Sequence, residues 1–213
     1  MADREGIEPP EVGFGIQPAP SARPSCIFYR MLSDNEIRFA LGTHKTYYMH
    51  IGIDPIDADK QVQPASVDLR LGNEFMSYPD EPQTVSIKER KLRMVKHTEK
   101  EFYELKPGGF VLGTTIERVT LGPAVAGKVE GKSSLGRIGL MTHVTAGFID
   151  PGFDGQITLE LRNVTNNVTI QLVPGAFVCQ IAFTELSSAA ARPYGSKGLN
   201  SRYQHQESVQ AAK

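Results

Sequence analysis

Gln156-Ile157-Thr158-Leu159-Glu160-Leu161-Arg162 alternates polar and apolar residues without a break. Side chains of an extended strand point to opposite faces in turn, so Ile157, Leu159 and Leu161 share a core face and Thr158, Glu160 and Arg162 share the other. The spacing predicts a strand over 156–164. Working outward, Ser66–Leu71 alternates in the same way, with Val67, Leu69 and Leu71 set against Asp68 and Arg70. Phe110–Thr114 and Phe177–Phe183 also read as strands. Pro107-Gly108-Gly109, Pro151-Gly152 and Pro174-Gly175 punctuate them as turns. Strands this short and this often interrupted predict a mainly β domain, a compact barrel or jelly-roll-like sandwich.

One short N-terminal helix is expected. Ser33 with Glu36 makes a capping box, and Ile37, Ala40 and Leu41 follow as its apolar face. Residues 1–30 are rich in Pro, Gly and Ala and show no periodicity; they read as a disordered extension, unable to bury enough surface to offset ordering entropy. The domain is expected to run over 31–213. Within it, the segment 187–213 is rich in Ser, Ala, Gly and Arg and reads as disordered or as a flap that orders on a ligand.

The 213 residues are 40% hydrophobic, enough for one well-cored domain, and the net charge is -1. The longest basic cluster, Lys88–Lys96, is interrupted by Glu89, Leu92, Met94 and Val95, so a solvated face is expected rather than a nucleic-acid surface. No apolar run reaches the length of a membrane span, and the start lacks a basic-then-apolar signal, which points to the cytoplasm. Cys26 and Cys179 lie outside any C-x-x-C spacing, so neither a disulfide framework nor a zinc site is expected. Cys179 sits in an apolar run and reads as a small buried hydrophobe. The Asn-x-Thr triplets at Asn163 and Asn167 read as turn chemistry.

Polar and glycine residues are densest from Glu130 to Asn163. Lys132-Ser133-Ser134-Leu135-Gly136-Arg137 offers an ammonium, a guanidinium, two hydroxyls and turn amides within six residues, a set that suits a polyphosphate. It is not a Walker A loop. Gly122 to Gly127-Lys128 has the spacing, but Val129 replaces the magnesium-holding Ser/Thr. Gly131-Lys132-Ser133 has the ending, but Ala126 holds the first Gly position. Asp150 precedes a Pro-Gly turn, where an Asp is commonly a turn former. Glu160 and Arg162 on one face are commonly just solvated. His143 invites pairing with Ser133 or Ser134, but no third group orients it and no nucleophile elbow is present, so it reads as structural.

Four separated blocks together resemble the dCTP deaminases of the dUTPase superfamily. They are Gln63–Gly72, Glu130–Asn163, Pro174-Gly175 with Gln180, and Arg192-Pro193-Tyr194 with Tyr203-Gln204-His205-Gln206. The resemblance spans Met31 to Gln206. It implies a distorted β-barrel related to trimeric dUTPases, with sites between the subunits of a homotrimer. It implies that Lys132, Ser133, Ser134, Leu135, Gly136 and Arg137 hold the triphosphate and that Asp150 meets the deoxyribose. Thr158, Leu159 and Glu160 would face the cytosine, and Gln180, Tyr194, Arg202 and Gln206 would close around the nucleotide. Arg202 stands where relatives carry Lys, which keeps the charge but not the geometry. Glu160 would be the general acid/base. Magnesium would arrive on the triphosphate rather than in a protein cage, and dTTP would be a feedback inhibitor. The zinc deaminases' His-x-Glu…Pro-Cys-x-x-Cys signature is absent from the sequence.

Ala146-Gly147 before Phe148-Ile149-Asp150 looks like the bifunctional, dUMP-forming members, in which a small Gly147 would leave room for phosphate cleavage. The alternatives are a deaminase that stops at dUTP, a plain dUTPase using Asp150, and a non-catalytic nucleotide sensor on the same scaffold.

Overall fold

The computed structural model describes residues 30–213. The expected disordered extension therefore lies outside the described residues, apart from Arg30, which belongs to the fold. Arg30 opens β1 (Arg30–Met31), pairs in register with Glu185, and sets its guanidinium against the carboxylates of Glu185, at 2.7 Å, and Glu36. Helix α1 (Asp34–Leu41) follows, with Glu36 accepting the Ser33 backbone N–H at 3.0 Å and Ile37 and Ala40 buried, as the capping box and apolar spacing require.

Next come β2 (Ile51–Asp54), α2 (Ala58–Gln61), β3 (Val62–Gln63), β4 (Ser66–Arg70), β5 (Glu74–Ser77), β6 (Val95–Thr98) and β7 (Tyr103–Leu105). They are followed by β8 (Phe110–Leu121), β9 (Val125–Gly131), α3 (Ser133–Gly136), β10 (Leu140–Met141) and β11 (Phe148–Ile149). The order ends with β12 (Asp154–Asn163), β13 (Ile170–Leu172) and β14 (Phe177–Glu185). The three expected turns are present, with Gly108, Gly152 and Gly175 at φ +69, +86 and +83.

One sheet runs β11-β9-β14-β4-β3, and β1 takes the edge of β14 beyond β4. The other runs β10-β12-β8-β5-β6, with β2 on the edge of β8 that β5 also uses. Both are antiparallel; β7 and β13 form a separate ribbon. The sheets touch at one corner, where Leu71 bridges Thr115 and the Gly72 N–H donates to the Thr114 carbonyl at 2.7 Å. Among the described residues no ladder continues past that corner, so the architecture is a sandwich of two open sheets; the jelly-roll-like part of the expectation stands and barrel closure does not. Val67, Leu69, Val129, Ile181 and Phe183 from one sheet and Ile51, Val119, Leu159 and Leu161 from the other are buried in a common core. Cys179 lies there too, and burial pushes its thiol strongly up, with the charges of Glu117 and Asp68 adding to the effect. Asn163 is buried, and its side-chain amide donates to the Leu105 carbonyl of β7 at 2.9 Å and to the Val168 carbonyl of the following turn at 2.7 Å.

The long β8–β12 pair carries the chemistry. Its register is regular from Thr158↔Thr114 to Arg162↔Phe110, then shifts between Thr158 and Gln156. At the shift Thr115 Oγ1 accepts the Ile157 N–H at 3.0 Å and donates to the Glu117 carbonyl at 2.7 Å. Glu117 is fully buried and accepts from Arg70 Nε at 2.6 Å, the Arg70 N–H at 2.9 Å and Gln61 Nε2 at 3.0 Å. A buried carboxylate is tolerated when it is paired and hydrogen-bonded in this way. The irregularity is therefore pinned from β4 and α2 as well as from its own strands.

Candidate active site

Beyond the irregularity, β12 presents Thr158 and Glu160 half-buried on the face away from the core, while Leu159 and Leu161 point inward at 1% and 0% exposure. These two polar residues line a cavity of about 520 Å³. Its other walls include Ala146, Asp150, Phe153, Gln156, Tyr194, Tyr203 and Gln206. Its apolar end is formed by Leu92, Met94, Leu112 and the stacked rings of Tyr78 and Phe110, whose centroids are 5.6 Å apart. The Glu160 carboxylate accepts the backbone N–H groups of Val144, at 3.0 Å, and Thr145, at 3.3 Å. These two amides fix the direction in which the carboxylate faces. Asp150 is exposed at its Pro-Gly turn, on the same cavity wall.

The tail covers this cavity. Gln206 is 3% exposed and donates its side-chain amide to Thr158 Oγ1. Tyr194 packs on Phe153 at 5.9 Å between ring centroids, and its hydroxyl accepts the Tyr203 N–H at 3.0 Å. Arg202 is half-buried in the tail, outside the cavity wall, with its guanidinium on the Lys213 carbonyl.

The phosphate-type residues lie elsewhere on the same chain. Ser133–Gly136 is a one-turn helix with Ser133, Ser134, Gly136 and Arg137 exposed. Lys132, Ser133 and Gly136 line a second recess of about 270 Å³ with Thr142 and His143. The Lys132 ammonium is not a free point charge: it donates to Asp68 Oδ2 at 2.6 Å and lies 5.9 Å from the Phe177 ring centre. Leu135 packs against the core. Gln180 is paired in register with Asp68 and Glu130, accepts the Ser66 hydroxyl at 3.2 Å, and lines neither space. The structure therefore gathers Glu160, Thr158, Asp150, Ala146, Tyr194 and Gln206 around one cavity. Lys132–Arg137 and Gln180 stand apart from it.

The Leu159 side chain is core, as its place in the alternation requires, so only its peptide can face a ligand. Of Ala146 and Gly147, Ala146 is the one on the cavity wall. Gly147 is buried against β9, where its carbonyl accepts the Val129 N–H at 2.7 Å, and a Cβ there would sit 2.7 Å from the Val129 carbonyl oxygen. Sequence reasoning missed Gln156, Tyr78 and Phe110, whose place in the wall depends on cross-strand neighbours. It also passed over Asp68 as a partner for Lys132, although Asp68 stands in one of the blocks singled out.

With the geometry described, comparison with known proteins gives the class. The dCTP deaminase-like family model matches residues 31–186. The chain belongs to that family. A protein of Rhodococcus opacus named "dCTP deaminase, dUMP-forming" is 47% identical over 180 residues, 83% of this chain and 92% of that protein. One of the same name from Dictyoglomus thermophilum is 44% identical over 189 residues, 86% of this chain and 94% of that protein. The crystal structure of a 2'-deoxycytidine 5'-triphosphate deaminase from Agrobacterium tumefaciens superposes with a TM-score of 0.55 at 25% identity. That match covers 73% of this chain and 47% of the other. No helix among the described residues is long and apolar enough to cross a membrane.

Proposed function

We propose that this chain deaminates dCTP at cytosine C4 and then cleaves the resulting triphosphate at the α-phosphorus, releasing dUMP and pyrophosphate. The observation that carries the reading is Glu160, a carboxylate held by two backbone N–H groups on the wall of a nucleoside-sized cavity in a chain 47% identical to a protein named for this reaction. Glu160 accepts a proton from water, the hydroxide adds to C4, and the proton passes to the departing amino group as ammonia leaves. A second water then attacks the α-phosphorus. Asp150 meets the deoxyribose, Thr158 and the Leu159 peptide meet the base, and Tyr194, Arg202 and Gln206 belong to a flap, 187–213, that closes on the nucleotide.

The triphosphate goes to Lys132, Ser133, Ser134, Gly136 and Arg137, with Gln180 beside them. Cavity and recess do not merge on one chain, and this supports a homotrimer in which the recess of one subunit serves the cavity of the next. Among the described residues no group of three His, Cys, Asp or Glu side chains stands close enough to hold a metal. Magnesium fits as a passenger on the phosphates, where it would supply charge neutralisation. dTTP, with the same triphosphate, acts as a competing inhibitor.

The test is to incubate the purified protein with dCTP and magnesium and to resolve ammonia, dUTP, dUMP and pyrophosphate over time. Ammonia and dUMP in equal amounts, with little free dUTP, are expected. Stoichiometric dUTP without pyrophosphate removes the second step; no ammonia removes the first.

A further inference from the structure

The tail crosses the start of β12 at Asp154, and this residue makes more polar contacts than its place beside a turn requires. Its carboxylate accepts Arg118 through Nε at 2.7 Å and Nη2 at 3.0 Å, the Thr120 hydroxyl at 2.9 Å, and the His205 ring at 3.1 Å. Its backbone is gripped as well: the Asp154 N–H donates to Gln204 Oε1 at 3.2 Å, and its carbonyl accepts the His205 N–H at 2.7 Å. Two residues on, the Gln156 N–H donates to the Gln206 carbonyl at 2.8 Å, which extends the contact like an added strand. Two glycines leave room for it. A Cβ at Gly155 would lie 3.0 Å from the Gln206 nitrogen, and one at Gly152 would lie 2.6 Å from Pro193 Cβ. His205 itself sits at φ +60, a left-handed conformation that His, Asn and Asp enter more readily than other residues.

We propose that Asp154 is a positioning residue: through His205 and the Arg118 pair it clasps the tail so that the next residue, Gln206, is held against Thr158 over the cavity. The Asp154 side chain does not line the cavity. Its effect on the reaction passes through closure of the tail. The charged groups around the clasp are Arg118 and, opposite it in register, Asp54 on β2; from the tail they are His205 and Glu207, whose carboxylate stands 3.7 Å from Arg118. Opposite charges therefore alternate through the contact, and no like pair faces the Asp154 carboxylate. The kinetic arm of the test rests on the dCTP activity proposed above; the cleavage arm does not.

The full chain is compared with Asp154→Ala, His205→Asn and Gly155→Ala by steady-state kinetics on dCTP and by limited proteolysis, mapped by mass. Removing the clasp forfeits a net hydrogen-bond contribution, so KM should rise about 3–10-fold with kcat within two-fold. Cleavage within 187–213 should accelerate while cleavage elsewhere stays unchanged. His205→Asn keeps the left-handed backbone and a side-chain donor, and should recover much of the wild-type KM. Gly155→Ala leaves every clasp side chain in place but crowds the Gln206 backbone, and should share the Asp154→Ala phenotype. Tail cleavage unaltered in both Asp154→Ala and Gly155→Ala overturns the proposal, as does a fall in kcat at unchanged KM. If the wild type releases no ammonia from dCTP, the deaminase reading fails and the tail-cleavage result still decides the clasp. If Asp154→Ala does not fold, Gly155→Ala and His205→Asn carry the decision.

Discussion

Gly147→Ala separates two meanings of a small residue beside Ala146. The added Cβ would stand 2.7 Å from the Val129 carbonyl oxygen and 3.1 and 3.2 Å from the His143 ring. The oxygen is backbone in β9 and cannot rotate away. Strand β11 must therefore move off β9, stretching the 2.7 Å bond from the Val129 N–H to the Gly147 carbonyl. Overpacking of this kind costs about 1–3 kcal/mol. For a chain of this size each kcal/mol shifts the midpoint by roughly 2–4 °C, so a Tm fall of about 2–12 °C is expected. The loss should appear in thermal unfolding followed by circular dichroism, with both catalytic steps declining together as folded enzyme is lost. Ala146→Leu is the contrasting change. It adds bulk on the cavity wall, and it should leave Tm close to wild type while slowing phosphate cleavage more than deamination, so that dUTP builds up. A Gly147→Ala protein with unchanged Tm that accumulates dUTP would refute this division and restore Gly147 as the residue that makes room for the second step.

Glu160→Gln preserves shape but cannot accept a proton, and deamination should fall by about 10²–10⁴-fold while dCTP still binds, as read by single-turnover ammonia release and equilibrium binding. Arg137→Ala should weaken dCTP and dTTP by a similar factor, since both carry the triphosphate; a change confined to dCTP would remove Arg137 from the phosphate group. A chain beginning at Arg30 should match the full chain in trimer formation and Tm, whereas one beginning at Met31 loses the Arg30–Glu185 ion pair and should melt slightly lower. Cys179, buried with its thiol pushed up, should resist iodoacetamide in the folded protein, with mass-mapped labelling appearing only on denaturation.

Alternation made β4, β12 and β14 legible because each buries one face against a single core. It stopped β8 at Thr114, whereas the strand continues to Leu121. The reason lies in the register shift: Thr115 and Glu117 are polar yet fully buried, satisfied by Ile157, Arg70 and Gln61, so the period-two signal fails where the strand is most constrained. β2, β5 and β9 are short or glycine-broken and were lost to the same method. At the site, Glu160 and Thr158 stood out because they share a strand face, and Gln206 because its block resembled a family. The Asp68 partner of Lys132, the Asp154 clasp and the packing of Gly147 against β9 all depend on contacts between residues distant in sequence or across strands. A linear pattern does not encode how close two backbones come.

If the recess of one subunit serves the cavity of the next, as proposed above, two impaired proteins should be able to complement each other. In trimers assembled at random from equal amounts of Glu160→Gln and Arg137→Ala subunits, a site draws its carboxylate from one subunit and its guanidinium from the neighbour. About a quarter of the sites then receive both intact groups. Co-expression of the two impaired forms should raise ammonia release at low dCTP above that of either form alone, and mixing pre-assembled homotrimers should not until subunits exchange. A cell carrying one copy of each lesion would thus keep more of the activity than either copy supplies alone.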